Sequence, residues 1–505
     1  MRVGVIGSGI SGLTTAAVFQ RDGHEVVVFE RGARVGGVWA QTYPEVRLQN
    51  IQGQYELSGV PWTTPSDLNP TGDQIRAYLD SVVERVRPNV RLQHTVTEMT
   101  EEPKGWVVSG ESPEGPFSER FDHVVLAVGQ FTQPKDELKW EGRETFAGEL
   151  LTERDLMSLD KLKGRRVAVV GFGKTALDLC TLAADRGAQV TQVFRTPRWM
   201  IPHRFLDLIH FSYILFSRFG SVMVPCWAQP NAIERILHRA TGPIRGFWWG
   251  VERVFLRQIV NAAKGRGPEA AARLNTITPT HSLLSDMRSA APMTPHGYLH
   301  HVAEGHITPR QGAVARFTPS GLGLQDGGEV QAELVVLALG SGSPVFPYLP
   351  QKYRALIEGG GDGVQLYRHL IHPRIPNLSF SGYNHSFLHF PCAELGAWWV
   401  CALLRGELIL PSPEQQEQEM AQVAAWKRAQ INHESSLLCG VNTRFQQYMD
   451  ILLGDLGVSP YRKLPNPLAE VFGRYTPADY RAVPDEILAA RARGVYPKAV
   501  LPVAT

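Results

Sequence analysis

Short apolar runs alternate with helical stretches along this chain, and one arrangement occurs twice. Val3 to Ile6 is an apolar run that ends in Gly7-Ser8-Gly9-Ile10-Ser11-Gly12. A helical stretch follows to about Arg21, Asp22-Gly23 breaks it, and a β-branched run from His24 to Phe29 ends in Glu30. Strand, glycine turn, helix and strand in that order predict a βαβ unit. Near residue 167 the order recurs. Arg166 to Val170 reads as a strand, Gly171-Phe172-Gly173-Lys174-Thr175-Ala176 as the turn, the stretch to Arg186 as a helix, and Gln189 to Phe194 as a strand ending in Arg195. Two more apolar runs, Val124 to Gly129 and Val335 to Gly340, are each closed by glycine after a polar hairpin region.

The glycine spacing gives the two units a chemistry. In a GxGxxG turn the first glycine permits the tight turn, the second lets backbone approach a pyrophosphate, and the third lets helix pack on strand. The helix N-terminus then offers N–H groups and a positive dipole to the phosphates. Gly7, Gly9 and Gly12 fill these positions, with Ser11 beside them, and Glu30 follows Gly12 by 18 residues. A carboxylate there accepts the two hydroxyls of an adenosine ribose. In the second turn Gly171 and Gly173 keep the pattern and Ala176 replaces the third glycine, a tolerated change. Arg195 stands where the first unit has Glu30, with Arg198 close behind. A guanidinium there either holds a 2′-phosphate by charge-assisted hydrogen bonds or is a solvated strand-end arginine. Lys174 either meets phosphate or points to water. The first site therefore suits FAD and the second NADPH, and two such sites in one chain imply electron transfer between two cofactors.

The expected fold class is α/β, with two Rossmann-like dinucleotide-binding domains, one inserted into the other. The FAD domain is expected over 1–160 and 330–505, the second glycine-closed run marking the return to it, and the NADPH domain over 161–329. Residues of about 203–275 fit neither unit and read as a helical addition to the second domain. Within 203–260 lie ten aromatic side chains and seven arginines against three acids. That segment is a packed part of the second domain's core, a lid over an apolar substrate, or a shallow contact with an anionic membrane.

Composition narrows the classes. The 505 residues are 43% hydrophobic and 20% charged, which is globular and not disordered. A net charge of +2 speaks against a nucleic-acid partner. Cys180, Cys226, Cys392, Cys401 and Cys439 are scattered without metal-ligand spacing, so neither a disulfide scaffold nor a metal site is expected. The strand at Met1 leaves no room for a signal peptide, and no run of about 18 apolar residues is present. A cytoplasmic enzyme is the expectation, with peripheral membrane contact through 203–260 and a homo-oligomer left open.

Further residues carry a family resemblance. After Glu30 come Arg31 and then Gly36-Gly37-Val38-Trp39. Tyr43, Gln49, Asn50 and Pro61 follow, then Val124 to Gly129 with Pro134, and Ser341 to Leu349. Pro376-Asn377-Leu378, Ala393 to Trp398, Gln447 to Asp450 and Gly457 to Pro460 complete the series. In order and spacing this resembles the flavin-containing monooxygenase family, class B flavoprotein monooxygenases related to Baeyer–Villiger enzymes. It covers nearly the whole chain outside about 203–275. Two features depart from the family. Its FxGxxxH fingerprint has Phe146 and Gly148 here, but Thr152 at the histidine and Leu156 at the following aromatic. Its usual Asn-Ser after the second GxG is Lys174-Thr175.

The resemblance implies reduction of FAD by NADPH and oxygen addition at flavin C4a. One atom of molecular oxygen then passes to a small, apolar organic substrate, at nitrogen or sulfur, or into a ketone or aldehyde in the Baeyer–Villiger alternative. Asn50 resembles the side-chain amide near the flavin edge, with Gln49 as the fallback and a loop-capping role as the plain reading. Gly37, Val38 and Trp39 would line the flavin. His385, His389 and Cys392 tempt as a catalytic cluster, but this chemistry needs no side-chain nucleophile. A disulfide reductase shares the two folds but needs a redox cysteine pair near the flavin, and no cysteine precedes Cys180. A non-catalytic dinucleotide-binding redox sensor is the remaining alternative.

Overall fold

The computed structural model describes all residues except 132, 134, 136–139, 207, 229–231, 240, 288–290, 359, 431–440, 442, 504 and 505. Pro134 and Cys439 therefore lie outside the described residues.

Each βαβ opening builds the centre of a five-stranded parallel sheet. In the first, β1 (Arg2–Ile6) leads through the glycine turn into α1 (Ile10–Arg21) and back to β2 (Glu25–Phe29). With β3 (Asn89–Arg91), β4 (His123–Leu126) and β10 (Leu378–Phe380), the sheet order is β10-β4-β1-β2-β3. In the second, β6 (Arg166–Val170), α2 (Lys174–Ala184) and β7 (Gln189–Phe194) repeat the unit. Adding β5 (Glu149–Thr152), β8 (Ile307–Gln311) and β9 (Leu334–Leu337) gives the order β8-β7-β6-β9-β5. Helices cover both faces of such a sheet, so central strands read as unbroken apolar runs. β4 and β9 are buried at all of their positions.

Sheet membership corrects the expected boundaries. β9 was expected to mark the return to the first unit. It pairs instead with β6, Val335 opposite Ala168, and with β5, Val335 opposite Leu150. β5, expected inside 1–160, is the edge strand of the second sheet. The crossovers thus fall before residue 149 and after residue 337. An apolar run closed by glycine fits the middle of either sheet, and only its pairing distinguishes them. The altered fingerprint lies on this edge. Gly148 has no room for a side chain, since a Cβ would lie 2.6 Å from Glu333 O. Thr152 turns to Asp155, its N–H and hydroxyl both donating at 2.8 Å, and Leu156 is buried in the second core.

The segment after β7 is mostly helical, as expected, but its packing differs. A ribbon of Arg204–Phe205 with Ile209–His210 precedes two short helices. Then come α3 (Ala232–Arg239), α4 (Thr241–Ala263) and a helix over Gly267–Thr276. Phe211, Phe216, Trp227, Trp248 and Phe255 are buried with Val3 and Val5 of β1 and with Trp398 and Trp399 of α5 (His389–Leu404). Ile259 joins the core of the second sheet. The segment therefore bridges both units instead of extending the second alone. Arg218 clasps it to the C-terminal region, donating to Asp450 of α6 (Phe445–Asp455) at 2.5 and 3.1 Å, to Pro460 O at 2.6 Å, and to Glu470. Burial pushes the Asp450 carboxyl up to about 6 even beside this guanidinium.

Candidate functional site

The first turn is shaped by backbone contacts that exclude any side chain. Gly7 has φ +104°, and a Cβ there would lie 2.6 Å from Ala127 O, in the exit of β4. A Cβ on Gly12 would lie 1.9 Å from Gly7 O, so α1 rests directly on the turn. Gly9 faces Gly37, where a Cβ would come within 3.0 Å of Gly9 Cα, and the Gly36 N–H donates to Ser8 O at 3.0 Å. These two bare backbones form a cradle that a Cβ would fill. At the end of β2, Glu30 accepts from the Ser8 N–H at 2.9 Å, the Ser8 hydroxyl at 2.7 Å and the Gly32 N–H at 2.7 Å. Two carboxylate oxygens carry about four acceptor sites, so capacity for ribose hydroxyls remains.

The loops of later sequence close over this turn. The Ser11 hydroxyl shares a 3.0 Å hydrogen bond with His389 Nε2 at the start of α5, and Gly382 packs against the same hydroxyl. Arg31 and Val38 are exposed, while Trp39 donates its indole N–H to the Tyr55 hydroxyl at 2.9 Å. Asn50 is 5% exposed, and its Nδ2 donates to Phe387 O. That bond joins loops 337 residues apart, which a local loop cap does not do. Asn50 Oδ1, Gln130 Oε1 and His389 Nδ1 are buried without protein partners. Such atoms cost roughly 1–3 kcal/mol each unless a ligand or water meets them. All three lie on segments that converge on the first turn, and their polar character fits a flavin dinucleotide.

Gln49, the fallback for Asn50, is occupied elsewhere. Its Oε1 accepts from the Met293 N–H at 2.8 Å, tying the flavin-side loop to the segment between α4 and β8. A second tie runs from Tyr43, whose hydroxyl donates to Asp178 of α2 at 2.8 Å and also faces Thr175. Burial and the Asp178 carboxylate hold the Tyr43 phenol well above its ordinary range. The two dinucleotide units are thus latched by side chains of residues 43–49.

The second turn is more open. Gly171 has φ +140°, and a Cβ would lie 2.3 Å from Ala338 O, the counterpart of the Gly7 contact. Gly173 is exposed, with nothing within 4 Å of a Cβ. Lys174 meets neither of the environments expected for it, since it pairs with Asp178 one turn along α2. Arg198 faces the buried Asp286 at 3.5 Å, a carboxylate that also accepts from the Trp199 N–H at 2.7 Å. Arg195 is exposed at the end of β7 and, among the described residues, has no ion-pair partner. It is the exposed guanidinium at the position equivalent to Glu30.

In the histidine and cysteine group His389 and Cys392 are buried and His385 half-buried. Burial pushes His385 down to about 4 and His389 to about 3, and raises the Cys392 thiol to about 12. None is charged near neutral pH, and such a thiol is a poor nucleophile. Asp22, His24 and Cys401 offer ligand atoms within 4.8 Å of one another. Asp22 already holds the guanidiniums of Arg405 at 2.7 Å and Arg491 at 2.5 Å, and two cations repel a third. Asp178 and Met293 were not legible in the sequence as parts of this region, because each acts through a contact distant along the chain.

Residues 1–210 match the pyridine nucleotide-disulphide oxidoreductase family. The chain is 27% identical to a probable flavin-containing monooxygenase 1 of Arabidopsis thaliana, over 96% of this chain and 97% of that protein. It is 26% identical to a Baeyer-Villiger monooxygenase of Streptomyces coelicolor, over 67% and 64% of the two chains. Its fold superposes on an oxidized steroid monooxygenase bound to NADP with a TM-score of 0.67, at 18% identity, covering 90% and 97%. The resemblance to flavin-containing monooxygenases and the fold of two dinucleotide-binding units are borne out. Among the described residues no helix is long and apolar enough to cross a membrane.

Proposed function

We propose that this relative of the flavin-containing monooxygenases is an NADPH- and FAD-dependent monooxygenase acting at nitrogen or sulfur of a small, apolar organic substrate. FAD takes the first turn, with its ribose on Glu30, and NADPH the second, with its 2′-phosphate on Arg195. The observation that carries this reading is the pair of like-built glycine turns with opposite strand-end charge, latched through Tyr43–Asp178 and Gln49–Met293. Bound flavin, once reduced by the nicotinamide, supplies the oxygen-activating chemistry. The chain's own part is to orient and to exclude water. Asn50, fixed through Nδ2 to Phe387 O, holds its Oδ1 as an unpaired polar group for the cofactors. Phe387 in turn packs edge-on against Phe216, at 6.1 Å between ring centroids, so the aromatic segment backs this loop with an apolar wall. Likeness to a flavin-containing monooxygenase over almost the whole chain supports the first reading, and the Baeyer-Villiger relative over two thirds supports a ketone as the second.

Purified protein should be yellow and should consume NADPH with oxygen uptake. A panel of amines, sulfides and ketones separates the two readings by the product formed. Oxygenation of ketones alone would replace the first reading with the second. Asn50→Ala should raise hydrogen peroxide release severalfold while NADPH consumption continues. Fully coupled product formation in that variant would remove Asn50 from the mechanism.

A further inference from the structure

The aromatic and basic segment buries most of its rings, yet its outer surface is left with a composition unsuited to water alone. Along α4, Ile244, Trp248, Phe255 and Ile259 point into the cores. Arg245, Trp249, Arg253 and Arg257 follow each other at four-residue steps and are exposed, forming one strip of the helix surface. Trp249 is 58% exposed, with the Arg253 guanidinium 4.4 Å above its ring. α3, which packs on α4, adds exposed Arg235 and Arg239 and an Ile236 that is 71% exposed. The acids of both helices are turned away from this strip. Glu234 is buried, and Glu252 accepts the Leu283 N–H at 2.8 Å. Among the described residues the outer face thus carries five arginines and no exposed acid.

Beside it, the ribbon over 204–210 packs Phe205 on Phe255 of α4, at 5.5 Å between centroids. Leu206, Leu208 and Ile209 are exposed there, Leu208 by 73%. Exposed aliphatic and aromatic groups clustered with cations of one sign mark an interaction surface. A nucleic-acid partner would use the arginines but gain little from exposed aliphatic groups. An anionic bilayer uses both, since tryptophan and aliphatic groups enter the interface while arginines meet the headgroups.

We propose that the outer face of α3 and α4, together with the exposed Leu206, Leu208 and Ile209, docks on an anionic lipid bilayer. The surface is independent of the oxygenation reading. The test is sedimentation of the flavin-loaded, full-length protein with phosphatidylcholine vesicles, with and without phosphatidylserine. Binding is expected to the anionic vesicles alone and to weaken with added salt. Each arginine near such a surface is worth roughly fivefold in partitioning, so replacing Arg245, Arg253 and Arg257 by Ala together should weaken binding about 100-fold. Flavin content should stay at the wild-type level, which shows that the variant is folded. Leu208→Ser and Trp249→Ser should each weaken binding severalfold. Wild-type protein that stays in the supernatant with anionic vesicles overturns the proposal, as does a triple variant that binds normally. Binding that duplex DNA competes away and that both Ser variants leave intact would assign the strip to polyanions in general and not to a bilayer.

Discussion

The two glycine turns share their first contact and part at the second. Gly7 and Gly171 each meet the carbonyl that ends a neighbouring strand, Ala127 O and Ala338 O, and neither tolerates a Cβ. At the next position Gly9 is covered by the Gly36-Gly37 backbone, whereas Gly173 faces open space. At the third, Gly12 lies against Gly7 O, whereas Ala176 fits its methyl into the core of the second sheet. At the strand end, Glu30 is held by three donors, whereas Arg195 is exposed. The first turn is enclosed by its own chain and the second is reached from solvent. That is the difference expected between a cofactor that stays and one that arrives, delivers and leaves.

The largest test of this contrast is Gly12→Ala. The new methyl would lie 1.9 Å from Gly7 O, with Ala127 Cβ 3.4 Å away, so relief requires moving α1 off the turn, and overpacking of about 3 kcal/mol or more is expected. Unfolding by heat and flavin absorbance per protein should both show the loss. A stable, fully flavinated variant would break the view of the first turn as closed. Glu30→Ala comes next. It strips an acceptor from three donors, at about 1.5–3 kcal/mol for a hydrogen bond to a charged group. Flavin content should fall sharply, and undiminished content would move the ribose elsewhere. Arg195→Ala should leave flavin content and melting temperature unchanged because the side chain is exposed. It should lower the preference for NADPH over NADH roughly ten- to hundredfold, from about 1.5–3 kcal/mol. An unchanged ratio of the two KM values would place the 2′-phosphate on another group. The smallest effect is expected from Ala176→Gly, about 1 kcal/mol of helix propensity in the melting curve, with both cofactors still bound. A loss of flavin there would mean that the second turn supports the first.

Much of this contrast is legible along the chain. The βαβ units span about thirty residues each, and their spacing carries both turns, Glu30 and Arg195. The family resemblance added the order of the later flavin-side segments, and Asn50 with them. The interior of the site is less legible. Nothing near Tyr43 points to Asp178, and nothing near Gln49 points to Met293. Those contacts depend on how the two units dock.

By itself the sequence determined two dinucleotide-binding openings and the opposite charges at their strand ends, because a helix period, a strand run and a glycine turn are local properties. It could not decide which sheet receives β9. Val335 and Val125 sit in nearly the same apolar runs, and only pairing separates them, Val335 with Ala168 and Val125 with Val5. Nor could it decide that Phe211, Phe216 and Trp248 fill a core shared with β1 and α5 while Trp249, one residue on, is left outside. Strand pairing and burial are settled by residues far apart in sequence, because an apolar side chain gains the same free energy against any dry surface and the fold alone supplies one.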